Sequence, residues 1–200
     1  MNINLDSIDI NIRNVSITSG KDIFYIMLCV LAREKKVDIR NEYLWVIALN
    51  NALNILNIES VLMGQITHDL IRPTELLVFP REKEATGLMI VRSTPKGNLE
   101  PTDSDKDLVN KLIQACLLAR VPVLDYITIT SDSYFSFKAS GLLEELEKSL
   151  KYVPPYKIES RALKVGREKG RKKREKEIAR QMLSDGEPVD KIQKWTGFSK

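Results

Sequence analysis

The sequence predicts an α/β protein in which a mixed β-sheet is flanked by helices and followed by a basic helical tail. Short apolar runs with strand character alternate with amphipathic helical segments over residues 1–153. Hydrophobic residues make up 43% of the 200-residue chain, which is enough for a sizeable core. From residue 154 onward a run of lysine and arginine replaces the apolar pattern. We therefore divide the chain into a body, residues 1–153, and a tail, residues 154–200.

The first part of the body predicts an edge strand, a helix and a β-hairpin. Residues 1–18 alternate between polar and apolar positions, as an edge strand does, and residues 22–34 carry apolar side chains at helical spacing. Two strand-like runs then flank the turn signal Asn50-Asn51, and the second run ends at Gly64.

The second part of the body predicts alternating helices and strands. Pro73, with Glu75 two residues later, is a typical helix start, and Pro80 is expected to break or kink that helix. A continuously apolar strand over 87–91 is predicted to lie in the centre of the sheet. The remaining predicted elements are a helix over 104–121, a strand over 122–130, a short strand over 134–137 and a short helix after Gly141.

Charge is distributed unevenly between the body and the tail. Residues 151–200 carry 15 basic and 7 acidic side chains, whereas residues 1–150 carry 16 basic and 20 acidic ones. A mildly acidic body with a basic tail indicates a partner that carries negative charge. The N-terminus has no secretory pattern, no apolar run is long enough to span a membrane, and Cys29 and Cys116 are predicted to be buried thiols. These features predict a cytoplasmic protein.

Short motifs recur along the body at consistent separations. They begin with a glycine after the hairpin and a Pro-x-Glu helix start, and end with Phe-Ser-Phe before Gly-Leu-Leu. The motifs are Gly64, Pro73-Thr74-Glu75, Arg92-Ser93-Thr94-Pro95-Lys96-Gly97, Thr102-Asp103-Ser104-Asp105, Val123-Leu124-Asp125-Tyr126, Phe135-Ser136-Phe137 and Gly141-Leu142-Leu143. In this order, from about Ser16 to Leu143, the body resembles the RadC-like JAB (MPN/JAMM) domains of the zinc metallopeptidase superfamily. The resemblance implies a sheet layered as in JAB domains and cytidine deaminases.

The same resemblance implies a metal site, at which this sequence departs from the family. In the family two histidines and an aspartate hold zinc, and these positions match Arg92, Thr94 and Asp105, so only the aspartate is retained. The helix serine becomes Thr102, and the histidine after Val-Leu-Asp becomes Tyr126. We therefore expect no zinc and no other cofactor. Arg92 is predicted either to pair with Asp105 in place of the metal or to extend into solvent.

The family's general base is a glutamate on an earlier strand. Counting back from Gly64 places this position on Ser60, with Glu59 one residue away and facing the opposite side of the strand. We treat Glu59, Ser60, Arg92, Thr94, Thr102 and Asp105 as a vestigial pocket without a catalytic residue. His68, the only histidine, is expected to lie in a surface loop, and Lys96 is either solvated or a contact for an anion.

The tail contains ten basic and three acidic residues between positions 161 and 180. Clustered cations of this kind neutralise phosphates without reading sequence, although a solvated spacer helix would have the same composition. The residues expected to bind nucleic acid are Arg167, Lys169, Arg171, Lys172, Lys173 and Arg174. Residues 177–200 weakly resemble the helical segment that follows Rpn and transposase-associated domains, a partial helix-turn-helix pattern in which the groove-reading helix is missing.

Three functions remain open at this point. The first is a catalytically inactive JAB domain that serves as a scaffold, binding protein or peptide at the former active-site groove and nucleic acid through its tail. The second is an active zinc metallopeptidase of the isopeptidase type, which family membership favours and the lost ligands oppose. The third is a non-specific DNA-binding protein linked to DNA repair or to a mobile element. No membrane association is expected.

Overall fold

The computed structural model describes residues 2–3, 16–33, 42–63, 71–94 and 97–197. It confirms the predicted α/β class, with one mixed sheet and six helices in these ranges. The strands are β1 (Asn2–Ile3), β2 (Tyr43–Leu49), β3 (Ile55–Met63), β4 (Gly87–Ser93), β5 (Val123–Ile129) and β6 (Tyr134–Ser136). The helices are α1 (Gly20–Arg33), α2 (Glu75–Glu82), α3 (Asp103–Ala119), α4 (Leu142–Lys148), α5 (Pro155–Ser184) and α6 (Val189–Thr196).

The sheet has the strand order β1-β3-β2-β4-β5-β6. The β2–β3 hairpin is antiparallel, β2 is antiparallel to β4, and β4 is parallel to β5, with α3 connecting these two strands. Every residue of β2 and β4 is buried, because both strands are central and covered on both faces. The prediction that the strand at residues 87–91 lies in the centre of the sheet is therefore confirmed.

Two hydrophobic cores cover the two faces of the sheet. On one face α1 packs Ile23, Met27 and Val30 against a cluster that includes Trp45. On the other face α2, α3 and α4 pack against a cluster that includes Leu44, Val46, Ile90 and Tyr126 from the strands. Alternate strand residues thus point to opposite layers. We call these two faces of the sheet the α1 face and the α3 face.

Two details of the body differ from the predictions. Helix α2 begins at Glu75 and continues through Pro80 to Glu82, so the expected break at Pro80 is wrong by two residues. Proline removes one hydrogen bond, but the helix ends so soon afterwards that little regular structure is lost. Cys116 is buried as predicted, and burial raises the pKa of its thiol to about 12. Cys29 is a free thiol too, but it is only half-buried.

The chain separates into two compact units, Met1–Tyr152 and Val153–Lys200. In the second unit, α5 is a single helix of 30 residues, and α6 contacts it. Gly197 adopts a left-handed conformation and caps the C-terminus of α6. None of the helices in the described ranges combines the length and the apolar character needed to cross a membrane.

Candidate functional site: a buried ion pair at the former metal position

Thr102 and Asp105 form a capping box at the N-terminus of α3. The Asp105 backbone N–H donates to Thr102 Oγ1 at 3.1 Å, and the Thr102 N–H donates to Asp105 Oδ2 at 2.9 Å. The Thr102 hydroxyl also donates to Oδ2, at 2.6 Å. Such a box satisfies backbone N–H groups that the first helical turn leaves without partners. It also fixes the Asp105 side chain, with Oδ1 directed away from the cap.

Asp105 Oδ1 contacts a cation and a phenol in the buried interior. Arg92 Nε lies 3.0 Å from Oδ1, and the side chains are 7% and 0% exposed. The Nε–H is not aligned for a hydrogen bond, so attraction between the two charges dominates this contact. The Tyr126 hydroxyl donates to the same oxygen at 2.5 Å. The predicted pairing of Arg92 with Asp105 is therefore present, and the alternative of an Arg92 extended into solvent is wrong.

Strand register explains how these three residues meet. Arg92 pairs with Leu44 of β2, and Tyr126 of β5 pairs with Ile90 of β4, so both point to the α3 face. Asp105, in the first turn of α3, is completely buried against this face. A carboxylate at this depth requires a countercharge and hydrogen-bond donors. Arg92 supplies the charge, and Tyr126 and Thr102 supply donors.

Tyr126 is a member of this cluster that sequence reasoning missed. Its position was identified only as a lost histidine, although its hydroxyl is completely buried against Asp105. Burial raises the pKa of the Tyr126 phenol well above its usual value, and the Asp105 charge raises it further, while Arg92 lowers it. The phenol therefore remains protonated and acts as a donor. The sequence did contain a signal for this contact, because Tyr126 is a polar-tipped residue in an apolar strand that neighbours the strand of Arg92.

Asp125, in the motif Val-Leu-Asp-Tyr, holds the end of the sheet together. Its carboxylate accepts hydrogen bonds from the Ser136 hydroxyl at 2.5 Å, the Lys138 N–H at 2.9 Å and the Tyr126 N–H at 2.8 Å. Burial raises the pKa of Asp125, and these hydrogen bonds oppose the rise. The motifs at 123–126 and 135–137 are thus joined by direct contacts, and this network fixes the backbone that presents Tyr126.

The other predicted pocket residues lie at different places. Thr94 is buried just beyond β4, where its N–H donates to the Ile129 carbonyl at 2.9 Å. Glu59 pairs with Val46 and therefore lies on the α3 face, whereas Ser60 pairs with Trp45 and lies on the α1 face. The register thus places Glu59, and not Ser60, on the face that carries Arg92. Gly64, His68, Pro95 and Lys96 lie outside the described residues.

The residues at this site do not fit the zinc ion that the fold implies. A catalytic zinc needs three deprotonated Cys, His or carboxylate ligands and a water molecule. Here the corresponding positions supply one carboxylate, a threonine and the permanent cation of Arg92, which lies 3.0 Å from that carboxylate. Within the described ranges, no three His, Cys, Asp or Glu side chains are grouped so that they could hold a metal ion.

The arrangement defines the class of the protein as a JAB-type α/β domain with a buried ion pair between Arg92 and Asp105. Comparison with known proteins gives the particular family. The model of the RadC-like JAB domain matches residues 17–142, and this chain belongs to that family. The predicted resemblance is confirmed.

Curated relatives support the same assignment. A UPF0758 protein of Chlorobaculum parvum is 31% identical over 130 residues, which cover 65% of this chain and 56% of the relative. A UPF0758 protein of Pelodictyon phaeoclathratiforme is 32% identical over 130 residues, which again cover 65% of this chain and 56% of the relative. A UPF0758 protein of Flavobacterium johnsoniae is 30% identical over 126 residues, 63% of this chain and 53% of the relative. The chain thus spans little more than half the length of these relatives.

Proposed function

We propose that this chain is a non-catalytic RadC-like JAB domain that acts as a binding or scaffold module. The observation that carries the proposal is the ion pair between Arg92 and Asp105 in the buried pocket. A zinc ion beside Asp105 would have to share the site with a guanidinium group that never loses its charge. Breaking the pair would leave Arg92 buried without its countercharge, which opposes metal binding further.

Zinc content separates this proposal from the alternative of an active metallopeptidase. The purified full chain is dialysed against trace zinc, and its metal content and cleavage of an isopeptide-linked substrate are measured. We expect no stoichiometric zinc, no cleavage, and no effect of a chelator on the melting temperature, because no metal binding is coupled to folding. About one zinc per chain, which is what a three-ligand site would bind, would contradict the proposal.

A gain-of-function variant provides the matched control. Arg92→His with Thr94→His restores two imidazole ligands, and Tyr126→Phe removes the phenol that donates to Asp105. We expect this triple variant to bind zinc that the parent chain does not bind, since Asp105 is already held by the Thr102 cap. If the folded triple variant also fails to bind zinc, the zinc measurement on the parent chain would say nothing about Arg92.

The tail supports a second activity, binding of nucleic acid. Helix α5 is about 45 Å long at 1.5 Å per residue, and its basic side chains from Lys164 to Arg180 are exposed. The six predicted contact residues are all exposed, namely Arg167, Lys169, Arg171, Lys172, Lys173 and Arg174. Successive helical residues point in different directions, so one phosphate backbone can contact only part of this set. We propose weak binding without sequence preference.

Anisotropy of a labelled DNA duplex tests this second activity. Changing Arg171, Lys172, Lys173 and Arg174 to Gln should abolish binding. Each neutralised phosphate contributes roughly 0.9 to the slope of log affinity against log salt, so affinity should fall steeply as salt rises. The matched control removes four exposed charges from the body instead, at Lys21, Lys83, Arg120 and Lys138. Equal loss in both variants would show that only net charge matters, and no loss in either would leave α5 as a solvated spacer.

A further inference from the structure

A groove with a volume of about 340 Å³ lies between α2 and β3, apart from the Arg92–Asp105 pair. This volume is in the range of ligand-binding sites. Its walls combine apolar and polar surface: Leu76 and Phe79 of α2 are buried, and Val78 is 56% exposed. Three carboxylates also line it: Glu59 from β3, and Glu75 and Glu82 from α2, which lie about two helical turns apart.

The carboxylates of this groove are largely available for a partner. Glu59 is half-buried, and its side chain makes no hydrogen bond or ion pair with any residue in the described ranges. Glu75 has one contact to a cation, Arg72 Nε at 3.9 Å, and both of these side chains are exposed. A contact of that length between exposed groups contributes little. Among the described residues, the groove therefore has negative charge without a close countercharge, beside apolar side chains of α2.

The three carboxylates do not converge as metal ligands do. No group of three acidic, histidine or cysteine side chains in the described ranges is placed to hold one metal ion. The groove thus fits several separated cations better than a single divalent ion. Arginine side chains match it in two respects: their aliphatic stems cover apolar walls, and their guanidinium groups pair with carboxylates through two parallel hydrogen bonds.

We propose that this groove binds an arginine-rich peptide segment of a partner protein. Charge complementarity identifies the occupant, since the walls bury the stems while Glu59, Glu75 and Glu82 bind the cationic heads. The inference deepens the proposed binding role, and it rests on that role only in treating the domain as one that binds without cleaving. It does not depend on the nucleic-acid activity of α5.

The test measures anisotropy of a labelled synthetic peptide in which arginine alternates with alanine, added to the full chain. Glu59→Gln, Glu75→Gln and Glu82→Gln together should weaken binding about tenfold or more, as expected for the loss of several ion pairs. The matched control removes three exposed carboxylates that do not line the groove, at Glu100, Glu145 and Glu147, and should change affinity by less than about twofold. A lysine–alanine peptide should bind more weakly than the arginine peptide.

Val78→Arg provides an independent variant that spares the core, because Val78 is exposed at the groove. The new guanidinium group would form ion pairs with the carboxylates of the groove and compete with the peptide for them. We therefore expect this variant to weaken peptide binding as the triple variant does. Equal losses in the groove and control triples, or no measurable binding to the parent chain, would overturn the proposal. So would a Val78→Arg chain that binds as the parent does. Each of these results would leave the zinc measurement unchanged, so failure of this proposal is distinguishable from failure of the non-catalytic one.

Discussion

At the residue scale, Asp105 has two roles at once, one for each carboxylate oxygen. Oδ2 caps α3 through Thr102, and Oδ1 balances the charge of Arg92 and accepts a hydrogen bond from the Tyr126 hydroxyl. One side chain thus joins the cap of α3 to the buried charge pair, so the position of Arg92 depends on the N-terminus of the helix.

Removing the Asp105 carboxylate should be strongly destabilising. Asp105→Ala leaves Arg92 and Tyr126 buried without their acceptor, and we expect the free energy of unfolding to fall by about 3–5 kcal/mol. The control is Asp103→Ala, also in the first turn of α3 but fully exposed, which should cost about 0.3–1 kcal/mol through the helix dipole. Urea titration measures both. Similar losses in the two variants would show that the buried pair contributes nothing beyond the helix terminus.

At the element scale, Asp107 ties α3 to the segment after α4. The Asp107 carboxylate accepts hydrogen bonds from the ammonium groups of Lys111, at 2.7 Å, and Lys151, at 2.5 Å. It also accepts one from the Tyr152 hydroxyl, at 2.5 Å. The hydrogen bond from Lys111, followed by those from Lys151 and Tyr152, lowers the pKa of Asp107 far below its usual 3.8. A lowered folded-state pKa stabilises the fold above the unfolded pKa, and this stabilisation is lost as pH falls toward the folded pKa.

Asp107→Asn should therefore reduce stability in a pH-dependent way. We expect the parent chain to be more stable than the variant at neutral pH, and the difference to shrink as pH falls below about 3.8, the unfolded value. Thermal melts of both chains across this range give the difference directly. A gap that stays constant with pH would mean that the Asp107 charge makes no contribution to folding.

Two glycines weaken the long helix α5. A Cβ added at Gly166 or Gly170 would meet no atom within 4 Å, so both positions accept alanine. Each replacement should favour the helix by about 0.8–1 kcal/mol. We expect Gly166→Ala with Gly170→Ala to increase the helical signal in circular dichroism and to slow proteolysis within α5. Unchanged proteolysis would indicate that cleavage does not require unwinding of α5 at these positions.

The sequence predicted the elements better than their contacts. Apolar periodicity was sufficient for β2, β3, β4 and α3, and the spacing of Thr102 and Asp105 is itself a capping-box signature. The contact between Tyr126 and Asp105 depends on the packing of β5 against α3, which periodicity does not encode. The face assigned to Glu59 depends on a register shift in the β2–β3 pair, between Leu44 and Trp45, and a shift of one residue exchanges the two faces.

At the scale of the whole molecule, the two cores lie entirely within the first unit. Their last contributing residue is Leu146, and the contacts of Asp107 end at Tyr152. None of the described residues from 153 to 197 belongs to either core, but residues 153–200 carry all of the excess positive charge. The hydrophobic cores that stabilise the fold thus lie in the first unit, and the excess positive charge lies in the second. We therefore predict that the first unit folds without the second.

Two truncated chains that differ by two residues test this assignment. A chain ending at Tyr152 keeps both cores and all three Asp107 contacts, so we expect cooperative unfolding at nearly the melting temperature of the full chain. A chain ending at Leu150 lacks Lys151 and Tyr152. It should melt lower, by about 2–4 °C for each kcal/mol lost.

The same pair of chains separates folding from binding. Neither chain should bind a DNA duplex, because both lack α5, whereas only the chain ending at Leu150 should lose stability. Scanning calorimetry and anisotropy on the same samples measure the two properties independently. A chain ending at Tyr152 that melts far below the full chain would mean that residues 153–200 support the body, and their positive charge would then have to be explained together with that structural role.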